Sequence, residues 1–310
     1  MAADLLKNEK RKADQLHTEA QALSEEGRDD EAIERYLLAI DIDPEKSESY
    51  YNIGLIYKYR NEWRKSFDFN KRALDLDPGD EATCWNLGIA ATALRDWTTA
   101  REAWEAQGLP IEEGDGPVTW KGGLTPVRLN PDRENAEVVW ARRIDPVRAK
   151  IESIPLPLSG YRCGDLVLHD GAASGYRESG GHEYPVFNVL ELFEASELST
   201  FSVVVEAKAP AEIDELARLM RSRDIEFEDW TANLRLLCKD CSEGRPHDED
   251  PRGRRGSGHQ HSLKPKSKGE HRIALAASSQ QRVLEILREW AESSSRQVRD
   301  LVCELPASVS

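Results

Sequence analysis

A step of 34 residues governs the first third of this chain. Asp43-Pro44 recurs as Asp77-Pro78, and the same step of 34 links Ala20 to Gly54 and Gly88, and Ala32 to Ser66 and Ala100. Tyr36 and Trp104 occupy one column with Asn70 between them, Ala39 and Ala73 fill a second, and Trp63 and Trp97 a third. Within a period, apolar residues recur at helical spacing, as Ile53, Leu55 and Ile56 do beside Tyr50 and Tyr57. Each period therefore reads as two helices, A and B. Small residues at Ala20, Gly54 and Gly88 let helix A approach helix B closely, and Ala32, Ser66 and Ala100 do the same from B. Pro44 and Pro78 end each B helix, because proline supplies no backbone donor. The periods run at 13–46, 47–80 and 81–110. The last departs from the pattern at Gln107 and meets its proline early, at Pro110, as a closing unit would. One such unit cannot cover its own apolar face, so the three are expected to stack.

The pattern resembles the tetratricopeptide repeat, which has this period. The resemblance implies a curved array whose concave side, lined by A helices, holds an extended or helical peptide. Carried onto this chain, that groove comprises His17 and Gln21, then Tyr51, Asn52, Leu55 and Tyr59, then Trp85, Asn86 and Ile89. Some members of the family grip a C-terminal carboxylate with lysine, arginine and asparagine at fixed positions. Here those positions hold His17, Gln21, Asn52, Ala82 and Asn86, and Asn52 alone matches. A chaperone-tail clamp is therefore not expected. The implied partner is a protein or peptide, although the same aromatic surface also suits packing against the chain's own C-terminal half.

Composition narrows the setting. With 39% apolar and 32% charged residues the 310-residue chain reads as globular. No apolar run approaches the roughly 18 residues of a spanning helix, so no membrane partner is expected. The charged stretch Met1–Lys12 lacks the apolar segment of a secretory signal, which makes the cytoplasm the expected compartment. A formal charge of −15 disfavours nucleic acid and suits a basic protein partner.

After the repeats, glycine and proline between Gly108 and Pro126 mark a linker, placed at 111–126. Val138 to Trp140, Leu166 to His169 and Pro185 to Phe193 then read as short strands, with a turn at Asp170-Gly171. They predict a small β-rich domain, barrel or half-barrel, over 127–196. His169 and Asp170 are neighbours on a strand and face opposite sides, and His182 and Glu183 flank glycines, so none of the four is assigned catalysis.

Over 197–306 two strand–helix–strand units follow. The first joins Phe201–Ala207, a helical face of Ile213, Leu216, Ala217 and Met220, and Ile225–Phe227; the second joins Ile273–Ala276, Val283, Ile286, Leu287 and Trp290, and Val298–Cys303. Leu234–Leu237 supplies a hairpin strand between them. The arrangement resembles a ferredoxin-like α/β sandwich with both helices on one face. The fold class is thus multidomain: an α-helical array, then α+β. As a whole it is similar to bacterial proteins that carry tetratricopeptide repeats.

One chemical constellation stands out. Cys238 and Cys241 lie three apart and are followed by His247, His259 and His261. Thiolates at that spacing reach one tetrahedral ion, so a structural zinc held by Cys238, Cys241 and His247, with His259 or His261 as fourth ligand, is expected at the base of a long polar loop, 242–270. A redox pair or two incidental cysteines are the rival readings. Cys84, Cys163 and Cys303 are expected as buried packing residues. There is no P-loop, no Gly-x-Ser-x-Gly elbow and no His-Glu-x-x-His helix, so no enzyme is expected. The leading function is an adaptor. A small-molecule or metal sensor built on the ferredoxin-like domain is the alternative, and a toxin-neutralising immunity protein follows by analogy with other repeat proteins.

Overall fold

The structure, a computed structural model, describes residues 2–133, 136–231, 269–292 and 296–307. They form two units, Met1–Trp120 and Lys121–Ser310. The first holds α1 (Ala2–Glu25), α2 (Asp29–Ile42), α3 (Ser47–Tyr59), α4 (Trp63–Leu76), α5 (Glu81–Ala93) and α6 (Trp97–Ala106). These are the A and B helices of three pairs, with α1 starting well before residue 13.

The columns of the repeat explain the pairing. A Cβ placed on Gly88 would lie 2.5 Å from the Trp104 ring, and one on Gly54 2.6 Å from Asn70 Nδ2. Ala20 packs in one cluster with Tyr36. In each pair the large B residue therefore fills the space left by the small A residue. Asn70 fits a column of rings because it finds polar partners: its Nδ2 donates to Ser66 O at 2.8 Å, while Ser66 Oγ donates to Gly54 O at 2.9 Å. A further column emerges at the A–B turns, where Gly27, Asn61 and Arg95 all take positive φ, at +75°, +56° and +59°. Each is followed by an N–H that reaches back five residues, as Asp96 N–H does to Ala91 O at 2.9 Å. After α6 the chain is held by Arg101, whose guanidinium donates to Glu112 O and Gly116 O.

In the second unit β1 (Leu124–Leu129), β2 (Glu137–Arg143), β3 (Arg148–Ile151), β4 (Leu166–Ser179) and β5 (His182–Glu194) close into a barrel. Neighbours are antiparallel until β5 returns parallel to β1 through Val127↔Phe187 and Arg128↔Asn188. Odd-numbered Val127, Leu129, Val139, Ala141, Ala149, Ile151, Val167 and Val189 share the core, as period-two alternation requires. Two expectations are corrected here. The linker reaches only to residue 123, since β1 begins at Leu124. The turn expected at Asp170-Gly171 is absent, and β4 runs through it with a bulge, its pairing passing from His169↔Val189 to Ala173↔Phe187. The chain reverses instead at Gly180-Gly181, whose φ of +59° and +76° suit a tight hairpin turn.

The rest of the unit comprises β6 (Ser199–Glu206), α7 (Pro210–Arg221), β7 (Glu226–Asp229), β8 (Glu270–Ala277), α8 (Gln280–Glu292) and β9 (Gln297–Leu305). The strands form one antiparallel sheet in the order β7-β8-β6-β9. Phe201, Val203, Val205, Ile273 and Leu275 face Leu216 and Met220 of α7 and Val283, Leu287 and Trp290 of α8 in a single core. The other face presents Ala274 and Ala276, which join Trp230 in covering Ile154, Leu156 and Cys163 from the segment after β3. Trp230 Nε1 donates to Ile154 O at 3.0 Å, so barrel and sheet share a buried hydrogen bond as well as apolar contact. Cys84 and Cys163 are buried, but Cys303 is exposed on the edge strand β9 and is not a packing residue. The strand expected at Leu234–Leu237 lies outside the described residues. So does the 242–270 loop up to residue 268, and Glu270 already belongs to β8.

Candidate functional site

The nine residues expected in the groove fall on α1, α3 and α5, the A helices, but burial divides them. His17 of α1 is buried, its Nδ1 2.9 Å from Ser49 Oγ in the first turn of α3 and its ring edge-on to Tyr36. Burial holds its pKa below the ordinary histidine value. Asn86 is buried and accepts from Lys58 Nζ at 3.1 Å, and Ile89 is 1% exposed. Trp85 is half-buried against the Trp104 ring, 5.0 Å away. His17, Asn86 and Ile89 are therefore packing residues, not groove surface.

Helix α5 explains the difference: Thr83, Cys84 and Asn86 through Thr92 are all buried, so it offers almost no side to solvent. The short residues Ala90, Ala91 and Gly88 permit close packing on every face.

Gln21 is exposed, while Tyr51, Asn52 and Leu55 are half-buried and Tyr59 is 59% exposed. Tyr51, Leu55 and Tyr59 lie four apart, hence on one face of α3. The Lys58 ammonium sits 4.4 Å from the Tyr59 ring centre, near enough for cation–π attraction. This α3 face, with Gln21 of α1 and the half-buried Trp85 of α5, is the part of the expected surface that remains accessible.

The expected zinc ligands Cys238, Cys241, His247, His259 and His261 all lie outside the described residues. Among the described residues no three histidine, cysteine or carboxylate groups are placed to hold a metal ion. His271, downstream of that set, is described, and its Nδ1 meets Asp229 Oδ2 at 2.7 Å. Sequence reading missed this pair, since the partners stand on neighbouring strands β7 and β8 and far apart along the chain. His169 is fully buried in β4, with Nδ1 2.8 Å from Asp170 O and the Phe187 ring 5.1 Å away. Burial lowers its pKa to about 4. With no solvent access it is a packed histidine.

A family model described as TPR repeat matches residues 20–58, from the end of α1 through α3. The N-terminal region thus carries repeats of the tetratricopeptide type. Among solved structures, the second TPR of Spaghetti (RPAP3) bound to HSP90 peptide SRMEEVD is 21% identical, covering 34% of this chain and 90% of that one at a TM-score of 0.32. The first TPR of the same protein, bound to the same peptide, is 23% identical over 31% of this chain and 76% of that one, TM-score 0.30. A mutant O-GlcNAc transferase of Thermobaculum terrenum is 22% identical over 32% of this chain but only 20% of its own, TM-score 0.29. No curated protein matches the chain.

Proposed function

We propose that this chain is a protein-interaction adaptor whose A helices, chiefly α3, hold a peptide segment of a partner protein. The observation that carries the reading is the row of Tyr51, Leu55 and Tyr59 along one helix face. Large side chains aligned this way are ordinarily drawn fully into a core, and a row left half-buried at Tyr51 and Leu55 and exposed at Tyr59 marks a contact for something else. Asn52 and Gln21 beside it supply amides for a peptide backbone. The burial of Ile89 and Asn86 centres the surface on the first two repeats, so a short segment suits it better than one spanning three.

The test is capture of partners on wild type, on Tyr51→Ala/Tyr59→Ala, and on Glu34→Ala, an exposed change on the B helix α2. Partners held by wild type and Glu34→Ala should be lost by the double variant at unchanged melting temperature. Equal recovery by all three sinks the assignment. Trp85 is unsuited to this test, because its ring packs on Trp104.

For the second unit the proposal is a small barrel joined to a ferredoxin-like domain. The order β7-β8-β6-β9, with a helix following β6 and another following β8, supports that description. Kinship of these two thirds with bacterial repeat proteins, a cytoplasmic location and a binding rather than enzymatic role belong to the same proposal. So does the structural zinc at Cys238, Cys241 and His247 with His259 or His261. It calls for near one zinc per chain in protein purified without chelator, and for a lower melting temperature once the metal is stripped.

A further inference from the structure

The 34-residue step lets the outer faces of the B helices be compared position by position. Six columns are exposed on both α2 and α4. On α2 they hold Asp30, Glu31, Glu34, Leu37, Leu38 and Asp41, so every ionisable group is acidic. Leu37 and Leu38, in the middle of that face, are 42% and 44% exposed. On α4 the same columns hold Arg64, Lys65, Asp68, Lys71, Arg72 and Asp75, four cations against two carboxylates. Residues three, four and seven apart share a side of a helix, which puts each set on one face. Because the columns are equivalent in successive repeats, the two faces point to the same side of the array.

Some of these charges are committed within the chain. Asp30 meets Arg60, Glu31 meets Arg28 and Lys65 meets Glu62, each at 2.6 Å, and Arg64 lies 3.9 Å from Asp68. Glu34 and Asp41 on α2, and Lys71 and Arg72 on α4, have no ionic partner among the described residues. Lys71 lies over the Phe67 ring and Arg72 over the Tyr50 ring, each 5.8 Å from the ring centre, which holds both cations to the helix surface.

We propose that this outer face is where two copies of the chain meet, α2 of each copy against α4 of the other. The twofold axis runs midway between the two helices and parallel to them. Such an axis preserves height along the helices, so Leu37 and Leu38 meet the residues of their own columns, Lys71 and Arg72. The aliphatic stems of those cations cover the leucines, and their charged ends reach Glu34 and Asp41, one turn to either side. Asp68 and Asp75 stand across from acidic residues, and the cations of the adjoining turns offset them. Since α2 and α4 share one face, the first contact brings the second with it, and the assembly closes at two copies. The contact uses B helices alone and does not depend on the α3 surface.

The test is sedimentation of the full chain over a range of concentrations. Wild type should form a dimer that dissociates on dilution. Lys71→Glu/Arg72→Glu and Glu34→Lys/Asp41→Lys should each raise the dissociation constant at least about tenfold, roughly 1.4 kcal/mol, at unchanged helix content. The second variant lowers the net negative charge of the chain, so its loss of dimer is not general repulsion. Mixed in equal amounts, the two variants should restore the dimer, because each reversed face then meets its opposite. That mixture carries the same total charge as two wild-type chains. Leu37→Ser/Leu38→Ser should weaken the dimer comparably, and Tyr51→Ala/Tyr59→Ala should leave it intact. The proposal is overturned by a wild type that stays monomeric up to its solubility limit, or by growth beyond the dimer. It is overturned equally by a reversal variant that dimerises as tightly as wild type, by a mixture no tighter than its components, or by loss of the dimer in the α3 variant.

Discussion

Arg95 occupies the left-handed region at φ +59°, where its Cβ crowds the following carbonyl. At the equivalent turns the chain uses Gly27, which has no such penalty, and Asn61, which tolerates it. Arg95→Gly should therefore raise stability by about 0.5–1 kcal/mol, the strain relieved less the extra entropy of glycine in the unfolded chain, as read by urea unfolding. His169 offers a second residue-scale test. Its pKa falls from 6.5 to about 4 on burial, so below pH 6.5 the unfolded chain takes up a proton that the folded chain refuses. Its contribution is complete above about pH 6.5 and is lost as the pH drops toward 4, about 3 kcal/mol in all. Melting temperatures between pH 7.5 and 4.5 should show this decline, and His169→Gln should flatten it in part. His17, lowered in the same direction by burial, keeps some slope in that variant. An unchanged slope in His169→Gln would mean that residue 169 does not titrate as a buried neutral ring.

At the scale of elements, the helix pair is the stable unit because its small and large columns interlock. Gly88→Ala puts a methyl 2.5 Å from the Trp104 ring, a rigid neighbour with 0% exposure. A loss of about 1–3 kcal/mol is expected, the usual cost of overpacking, and the cooperative unfolding of the repeats should shift accordingly. Gly54→Ala meets Asn70 instead, whose amide also sits in a hydrogen-bond chain through Ser66 to Gly54 O, so its cost should include lost polar contacts. The helices were legible because the step from Gly54 to Gly88 and from Ser66 to Ala100 is local and repeated. Strands β6, β7, β8 and β9 were legible for a related reason, alternation broken by helical stripes such as Val283, Ile286, Leu287 and Trp290. Strand β4 was not. Asp170-Gly171 carries the composition of a turn, yet its neighbours' pairing to β5 absorbs it as a bulge, and only the cross-strand register distinguishes the two outcomes.

At the scale of the whole molecule, Trp230 joins the barrel to the sheet within the second unit. Fully buried, it fills the space between the sheet face at Ala274 and Ala276 and the barrel-side residues Ile154 and Leu156. Trp230→Ala should cost about 3–5 kcal/mol. Trp230→Phe keeps most of the apolar contact but leaves Ile154 O without its donor, at about 1–3 kcal/mol. Both variants should lower one shared transition of barrel and sheet by calorimetry, and separate transitions would argue that the two pack independently. The sequence by itself determined the helix pairs, their order and the two strand–helix–strand units, since spacing along the chain is all that those need. Only the tertiary structure decided that α5 is enclosed while the Tyr59 face of α3 is not, and that Asp229 meets His271. Each of these depends on which distant segments come to lie side by side, and close packing sets that through shape and register, which no local pattern encodes.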